Sequence, residues 1–280
     1  MSVLLWILLC LVLLAGLYLF LIAPGRKRPD ASALTGWLYA HRGLHGGDVP
    51  ENSLPAFAAA VEAGYGIELD VHLTRDDVLV VFHDDTLSRM CGISKRVEDM
   101  TLPELERLRL QGSEQGIPTL DQVLAVVEGK VPLIVEIKAD KRLAELCRRT
   151  RERLRDYGGA YCVESFHPLA MRYFRLHAPD VVRGQLAMGG ARQPGETGFI
   201  AYFALKHLLV NSLSRPHFVA YSCPEDHTLA MWLMRRCFHP LLAAWTLRSQ
   251  EALDGALARG YQLPIFEGFT PRRDGARPSC

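Results

Sequence analysis

Hydrophobic and polar positions along this chain follow two periods that replace each other in turn. Eight short apolar runs, rich in Val, Ile, Leu and aromatic residues, end at turn residues, and most precede a segment with apolar residues at helical spacing. Strands that mostly alternate with helices over about 245 residues predict an α/β fold, a closed (β/α)8 barrel of the TIM type. The eight strand candidates are WLYAH, IELDV, LIVEI, YCVES, VVRGQ, FVAYS, LLAAW and QLPIF.

A ninth apolar run, VLVVFHD, follows the second strand candidate after a polar turn of sequence RDD. It predicts an antiparallel β-hairpin that extends from the second barrel strand. With a turn centred between Asp76 and Asp77, Asp70 is expected opposite His83, about 5 Å away at Cβ. Glu68 shares a strand face with Asp70, because side chains two residues apart point to the same side.

The amino-terminal segment from Val3 to Ala23 contains no charged residue. A helix of about 21 residues is long enough to cross a hydrocarbon core about 30 Å thick. A cleaved signal peptide is the alternative, but the run is longer than usual and no basic residue precedes it. Arg26, Lys27 and Arg28 follow directly, so the positive-inside rule predicts a single-pass membrane protein with its catalytic domain in the cytoplasm.

These patterns divide the chain into four parts. We expect a transmembrane anchor at residues 1–24, a linker at 25–36, a barrel domain at 37–270 and a carboxyl-terminal tail at 271–280.

Charge and cysteine content exclude two classes of partner. The chain has 32 Lys and Arg against 31 Asp and Glu, so it lacks the basic field that nucleic-acid binding requires. Its 7 cysteines are scattered singly, with no spacing typical of a zinc site. Free thiols in a reducing compartment are the simplest interpretation, which agrees with a cytoplasmic domain.

Polar side chains lie where the first three barrel strands end. His41 ends the first strand, Glu68 and Asp70 belong to the second, and Glu136 and Lys138 come with the third. The carboxyl ends of the strands form the catalytic face of such a barrel, so these residues are expected to converge. Three carboxylates are hard oxygen ligands suited to one divalent cation, Ca²⁺ or Mg²⁺.

The remaining polar residues suit phosphodiester chemistry. Arg42 and Lys138 are cations that can bind a phosphate beside the metal. His41 and His83 can supply the two proton transfers that cleavage needs, because imidazoles titrate near neutral pH. The sequence therefore predicts metal-assisted phosphodiester cleavage.

The motifs HRG, PEN, IELDVHLT, VVFHD, IPTL, VEIK, ESF and WT occur in this order. With them the chain resembles the glycerophosphodiester phosphodiesterase family from Trp37 to about Gly260. The resemblance implies a TIM-type barrel, a divalent cation, and hydrolysis of glycerophosphodiesters to an alcohol and glycerol 3-phosphate. By position it implies that the metal ligands are Glu68, Asp70 and Glu136 and that the acid/base pair is His41 and His83. It also implies Arg42 and Lys138 as the phosphate-binding cations, and Glu51, Phe166 and Trp245 as pocket residues. By analogy with related enzymes His41 is the base and His83 the acid, and the opposite assignment stays open.

The chain departs from the family pattern at its last strand, YQLPIFEG, where Pro264 lies inside the run and Glu267 replaces an Asp. Proline is tolerated mainly at strand edges and bulges, so this departure affects the closing edge of the barrel and not the metal site.

Two alternatives differ in substrate or in class. The apolar segment from Phe199 to Leu213 either packs as a barrel helix or lies in a membrane interface. The second case favours a lysophospholipase D or a phospholipase C relative that acts on a lipid phosphodiester. A membrane-anchored binding protein without catalysis is the other alternative, and it should lack one of the histidines or carboxylates.

Overall fold

The computed structural model describes residues 3–139, 141–190 and 198–272. The strands in chain order are β1 Tyr39–His41, β2 Gly66–Leu73, β3 Leu79–Val81, β4 Leu133–Ile137, β5 Tyr161–Ser165, β6 Arg183–Ala187, β7 Phe218–Ser222, β8 Leu241–Leu247 and β9 Leu263–Phe266. The helices are α1 Val3–Ile22, α2 Leu54–Glu62, α3 Ser88–Cys91, α4 Leu102–Leu105, α5 Leu120–Val127, α6 Leu143–Arg155, α7 Pro168–His177, α8 Phe199–Lys206, α9 Asn211–Ser214, α10 Leu229–Leu233, continued by a π-helical turn Met234–Phe238, and α11 Gln250–Ala258.

Eight parallel strands close into a barrel. β1 pairs with β2 on one side and with β9 on the other, and β2, β4, β5, β6, β7, β8 and β9 follow one another around the ring. The predicted (β/α)8 barrel and its eight strands are confirmed. Pro264 lies in β9 beside a register shift between β8 and β9, the kind of irregularity that tolerates a missing backbone N–H. β9 nevertheless pairs with β1 at Ile265 and Phe266, so the closing edge is intact.

The predicted hairpin forms, but its register is wrong by one residue. β3 runs antiparallel to β2, with Val71 opposite Val81 and Leu73 opposite Leu79. The loop contains three residues between Thr74 and Val78, which are joined by a 2.9 Å backbone hydrogen bond. The prediction assumed a two-residue turn, and one additional loop residue shifts the whole pairing. Asp70 therefore lies opposite Phe82, whose N–H donates to the Asp70 carbonyl at 3.0 Å, and His83 comes one residue later.

Two apolar layers hold the barrel. Alternate strand residues such as Ile67, Leu69 and Val135 belong to a cluster that also contains residues of the surrounding helices. The residues between them, including Ile134, belong to a second cluster that fills the barrel interior with Tyr39, Cys162, Phe218 and Leu263. Because side chains alternate along a strand, Glu136 points to the same interior face as Ile134.

Capping residues fix the starts of several helices. The Thr119 hydroxyl accepts from the Gln122 N–H, and the Gln122 side chain accepts from the Thr119 N–H, which is a complete capping box at α5. The Glu104 carboxylate likewise accepts from the Thr101 N–H at 2.8 Å at the start of α4. Ser53 caps α2, just after the loop that follows β1.

Helix α1 meets the barrel only at its last turn. It is 20 residues long with a mean hydropathy of 2.9 and is almost entirely exposed, which fits a membrane span by length and composition. Ile22 is buried, and its carbonyl accepts from Asn211 Nδ2 at 2.8 Å. Arg215 Nη1 donates to the carbonyls of Phe20 and Ala23, each at 2.9 Å. Polar bonds therefore fix the end of α1 against the segment that leads into β7.

The apolar segment from Phe199 to Leu213 forms two helices, α8 and α9, joined by a turn. Tyr202 and Leu205 are buried against the barrel, as expected for a barrel helix. Phe199 and Ile200 are 70% and 83% exposed, so the same helix also presents an apolar face to the outside.

Candidate active site

Strand register brings the candidate residues together at the carboxyl ends of the strands. His41 lies beside Glu68 in the β1–β2 pairing, and Asp70 lies beside Glu136 in the β2–β4 pairing. Lys138 comes directly after β4. Residues far apart in sequence therefore form one cluster.

Three carboxylates form the centre of the site. One oxygen each from Glu68, Asp70 and Glu136 lie within 4.8 Å of one another, and the three residues are 2%, 0% and 8% exposed. Asn52 Nδ2 donates to Asp70 Oδ2 at 2.8 Å, and the Arg42 N–H donates to Glu68 Oε2 at 3.0 Å. These bonds fix the orientation of two of the three carboxylates.

The pKa shifts of these carboxylates differ in direction. Burial, with the charges of Asp70 and Glu136, raises the pKa of Glu68 well above its usual value. Burial also raises the pKa of Glu136. Burial acts on Asp70 in the same sense, but Lys138, His83 and Arg42 outweigh it and lower the pKa of Asp70. Mutual repulsion of buried carboxylates is the electrostatic condition that a bound cation relieves.

Two cations border the acidic cluster. Lys138 Nζ lies 2.7 Å from Asp70 Oδ1 and 2.8 Å from Glu136 Oε1, and these partners, working against burial, raise the Lys138 pKa. Arg42 Nε lies 3.7 Å from Asp70 Oδ2, while its Nη1 donates to Glu51 Oε1 at 2.8 Å. Both cations therefore stay charged next to the carboxylates.

The loop after β1 holds Arg42 in place. Arg42 has φ 55° and Gly43 has φ 81°. A Cβ on Gly43 would lie 2.9 Å from Ala56, so a residue without a side chain is required where this loop meets α2.

Each candidate histidine has its own carboxylate partner. His41 Nδ1 lies 3.1 Å from Glu267 Oε1, and His41 Nε2 lies 3.9 Å from Glu68 Oε2. His83 Nδ1 lies 2.6 Å from Asp84 Oδ1. Burial lowers the pKa of His41, and the hydrogen bond to Glu267 opposes this shift. The hydrogen bond from His41 and the nearby His45, whose Nε2 lies 3.4 Å from Glu267 Oε1, hold the pKa of Glu267 well below its usual range, so this carboxylate stays ionised.

A cavity of about 400 Å³ opens above the cluster. Phe166 and Trp245 line it, with ring centroids 5.6 Å apart and an interplanar angle of 85°. Glu51 lies behind Arg42 and binds Arg89 at 2.6 Å, so it contacts an arginine rather than the cavity. Two of the three carboxylates, Glu68 and Glu136, thus border one space of small-molecule size together with both histidines and both aromatic side chains.

Sequence reasoning missed four residues of this site. The sequence marks Glu267 only as a departure from the family pattern, and Glu164 is not among its candidate site residues. Glu164 is 1% exposed, lines the cavity and is paired in register with Glu136. The position of Glu164 at the end of a barrel strand could have identified it as a site residue. Asp84 and Asn52 act through hydrogen bonds to His83 and Asp70, which no sequence spacing shows.

The donor set fits an oxygen-binding divalent cation. Three buried carboxylates converge, and among the described residues they form an all-oxygen group with the spacing of a metal site, as Ca²⁺ and Mg²⁺ prefer. A parallel barrel with this cluster, two histidines and two cations beside it defines the class of metal-dependent phosphodiesterases.

Comparison with known proteins identifies the family. The model of the glycerophosphoryl diester phosphodiesterase family matches residues 41–261, and the chain belongs to this family of phosphoric diester hydrolases. A glycerophosphodiester phosphodiesterase of Bacillus altitudinis is 32% identical over 169 residues, 56% of this chain and 69% of the relative. A human lysophospholipase D is 31% identical over 140 residues, 43% of this chain and 44% of the relative.

A solved structure agrees with the fold. The Oleispira antarctica phosphodiesterase, in complex with the product sn-glycerol-3-phosphate, matches with a TM-score of 0.69 and 22% identity, over 85% of this chain and 94% of that one. The predicted family, fold and enzyme class are confirmed.

Proposed function

We propose that this enzyme hydrolyses small glycerophosphodiesters to an alcohol and glycerol 3-phosphate. The observation that supports this most directly is the group of three carboxylates within 4.8 Å of one another, bordered by two histidines that each have a carboxylate partner. The cavity of about 400 Å³ suits a small diester better than a macromolecule.

Glu68, Asp70 and Glu136 would hold one divalent cation, Ca²⁺ or Mg²⁺. When bound, the ion offsets the charge of the phosphate oxygens. Chelation with EDTA should abolish turnover, and readdition of Ca²⁺ and Mg²⁺ separately should restore it and identify the effective ion. Full activity after exhaustive chelation would contradict the assignment of these ligands.

Two histidines would move the protons. Glu267 accepts from Nδ1–H of His41, which leaves the Nε2 lone pair directed toward Glu68 and available as a base. It takes a proton from the attacking water. If a substrate hydroxyl attacks instead, the alcohol leaves from a cyclic phosphate, which water then opens to glycerol 3-phosphate. Asp84 stabilises the imidazolium of His83, which protonates the leaving alkoxide. Arg42 and Lys138 bind the phosphate oxygens, and each is already held beside a carboxylate.

The test is turnover of glycerophosphocholine with detection of glycerol 3-phosphate. His41→Ala and His83→Ala should each reduce kcat by about 100-fold or more, the usual size of a general acid/base contribution. The matched control is His177→Ala, at the far end of α7, which should leave kcat unchanged. Near-normal activity in either site variant, with an unchanged melting temperature, would contradict the proposed roles.

A lysophospholipid is the second candidate substrate. The exposed apolar side chains Phe199 and Ile200 on α8 support it, as does the similarity to a human lysophospholipase D. Comparing glycerophosphocholine with lysophosphatidylcholine distinguishes the two. Phe199→Ser/Ile200→Ser should lower kcat/KM for the lysolipid alone if this face contacts the acyl chain.

For the location we propose a single-pass membrane protein with a cytoplasmic barrel, divided at residues 24, 36 and 270 as the sequence predicts. Most of the proposed tail, residues 273–280, lies outside the described residues. The hydropathy and exposure of α1 and the three basic residues after it support this orientation. Protease added to sealed spheroplasts should leave the barrel intact. Digestion of the barrel from outside would contradict the proposed orientation.

A further inference from the structure

A second cavity, of about 840 Å³, lies where the end of α1 meets the barrel. Its wall includes Arg183, which begins β6, and His217, which directly precedes β7. Phe238, just before the turn into β8, also lines it. These are amino ends of strands, so this cavity is at the opposite end of the barrel from the acidic cluster. Leu19 and Phe20 from the last turn of α1 form another part of its wall.

The lining of this junction cavity is strongly basic. None of the described residues that line it is acidic, and six are Lys or Arg: Arg26, Lys27, Arg28, Arg175, Arg183 and Arg215. No ion pair joins any of these six to a carboxylate within residues 3–139, 141–190 and 198–272. Where they donate hydrogen bonds, the acceptors are backbone carbonyls, as for Arg28, Arg175 and Arg215.

Arg183 is the most unusual member of the cluster, since it is a charged residue only 5% exposed. Its Nε donates to the Ser214 carbonyl at 3.1 Å and its Nη2 to the Arg215 carbonyl at 2.8 Å. Its Nη1 has no hydrogen-bond partner among the described residues. Burying a guanidinium without a carboxylate partner costs free energy unless a bound anion accepts hydrogen bonds from its remaining N–H groups.

The pKa shifts of two residues in this cavity indicate that it favours an anion. Burial and the neighbouring Arg175 lower the pKa of Arg183 to about 10. Burial, followed by the charges of Arg183 and Arg28, lowers the pKa of His217 to about 3. Like charges held together in this way repel one another, and a bound phosphate would offset the repulsion.

We infer that the junction cavity binds the phosphate of an anionic phospholipid headgroup. The inference rests on the proposed membrane span of α1, because the basic residues directly follow that span, at the depth of lipid headgroups. Leu19, Phe20 and Phe238 line the same cavity and offer apolar surface to an acyl chain. Basic pockets at the cytoplasmic end of a membrane helix are suited to anionic lipids. A bound lipid would fix the barrel against the membrane as well as tether it.

The test uses the full chain in detergent and native mass spectrometry with two lipids of identical acyl chains, phosphatidylglycerol and phosphatidylcholine. The wild-type chain should retain one phosphatidylglycerol at concentrations at which phosphatidylcholine is lost. Lys27→Gln/Arg175→Gln should weaken phosphatidylglycerol binding by roughly fivefold per cation removed, from the attraction of one basic residue to an anionic surface. Both residues are exposed, so this pair avoids the folding risk of Arg183→Gln.

The matched control is Lys95→Gln/Arg107→Gln, which removes the same charge from exposed positions outside the cavity and should bind phosphatidylglycerol as the wild type does. Equal retention of both lipids, or an equal loss in the control, would overturn the inference. Displacement of phosphatidylglycerol by millimolar inorganic phosphate would assign the site to a soluble anion instead. Glycerophosphocholine turnover should be unchanged in both double variants, so a failure of the catalytic proposal is seen separately.

Discussion

At the scale of single residues, Glu267 influences the orientation and the pKa of His41. Because its carboxylate accepts from Nδ1 and raises the His41 pKa against the effect of burial, Glu267→Gln should lower kcat/KM by about 10- to 100-fold, as loss of an orienting partner typically does. The variant should also move the acidic limb of the pH–rate profile to lower pH, since the His41 pKa falls. A profile with an unchanged limb would contradict this positioning role, and Glu114→Gln, which removes the same charge at an exposed position outside the site, serves as the charge control.

Two ligand residues should have opposite effects on stability. Burial and neighbouring carboxylates make the charge of Glu68 unfavourable, so Glu68→Gln should raise the melting temperature of the metal-free protein by about 2–4 °C per kcal/mol of repulsion removed. Asp70 is paired with Lys138, and Asp70→Asn should destabilise by up to about 3–5 kcal/mol because the buried cation then loses one of its two carboxylate partners and keeps Glu136.

Differential scanning calorimetry in EDTA checks both substitutions, and activity should be lost in each of them. Destabilisation of similar size in both variants would show that the repulsion at Glu68 is unimportant.

Residue identities at the site were largely predictable, because barrel strands deliver their last inward side chains to one face. His41, Glu68, Asp70, Glu136 and Lys138 could be inferred in this way. Hydrogen-bond partners were not predictable, since the contact of Glu267 with His41 joins the last strand to the first and depends on how the barrel closes.

At the scale of elements, the length of the loop between β2 and β3 determined whether the register of the hairpin could be predicted from the sequence. Hydrophobic alternation identified β2 and β3 correctly, but it does not distinguish a two-residue turn from the three-residue loop after Thr74. Asp77, with φ 66°, occupies the left-handed position that such a loop needs, and Asp is among the residues that tolerate it. The register of a short strand therefore depends on backbone geometry that the apolar pattern does not contain.

The loop between β1 and α2 gives the prediction at this scale. Gly43→Ala should destabilise the protein by about 1–3 kcal/mol and reduce activity, because an added Cβ meets Ala56 at 2.9 Å and displaces the neighbouring Arg42. The control is Gly92→Ala, which has a similar φ of 74° with no atom within 4 Å of the added Cβ. Urea unfolding and kcat/KM measure the two effects, and equal behaviour of the two variants would exclude the steric contact as the cause.

At the scale of the whole molecule, the junction between anchor and barrel makes stability depend on pH. The pKa of His217 is about 3 in the folded protein and about 6.5 in an unfolded chain, so the unfolded state binds more protons between these values. The stabilising contribution is complete above pH 6.5 and declines as the pH falls, by up to about 1.4 kcal/mol per pH unit. The melting temperature in detergent should therefore drop less between pH 7 and pH 5 in His217→Gln than in the wild type. An identical drop in both proteins would contradict this.

The opposite placement of anchor and catalytic cavity on the barrel has a kinetic consequence. The helix α1 joins the amino ends of the strands, whereas His41 and Glu136 lie at their carboxyl ends. If α1 spans the membrane as proposed, the catalytic cavity faces bulk water, and the enzyme collects substrate by three-dimensional diffusion rather than by sliding along a bilayer. Its rate should follow the dissolved substrate concentration, and diluting a lysolipid with inert detergent in mixed micelles should change turnover only through the free monomer.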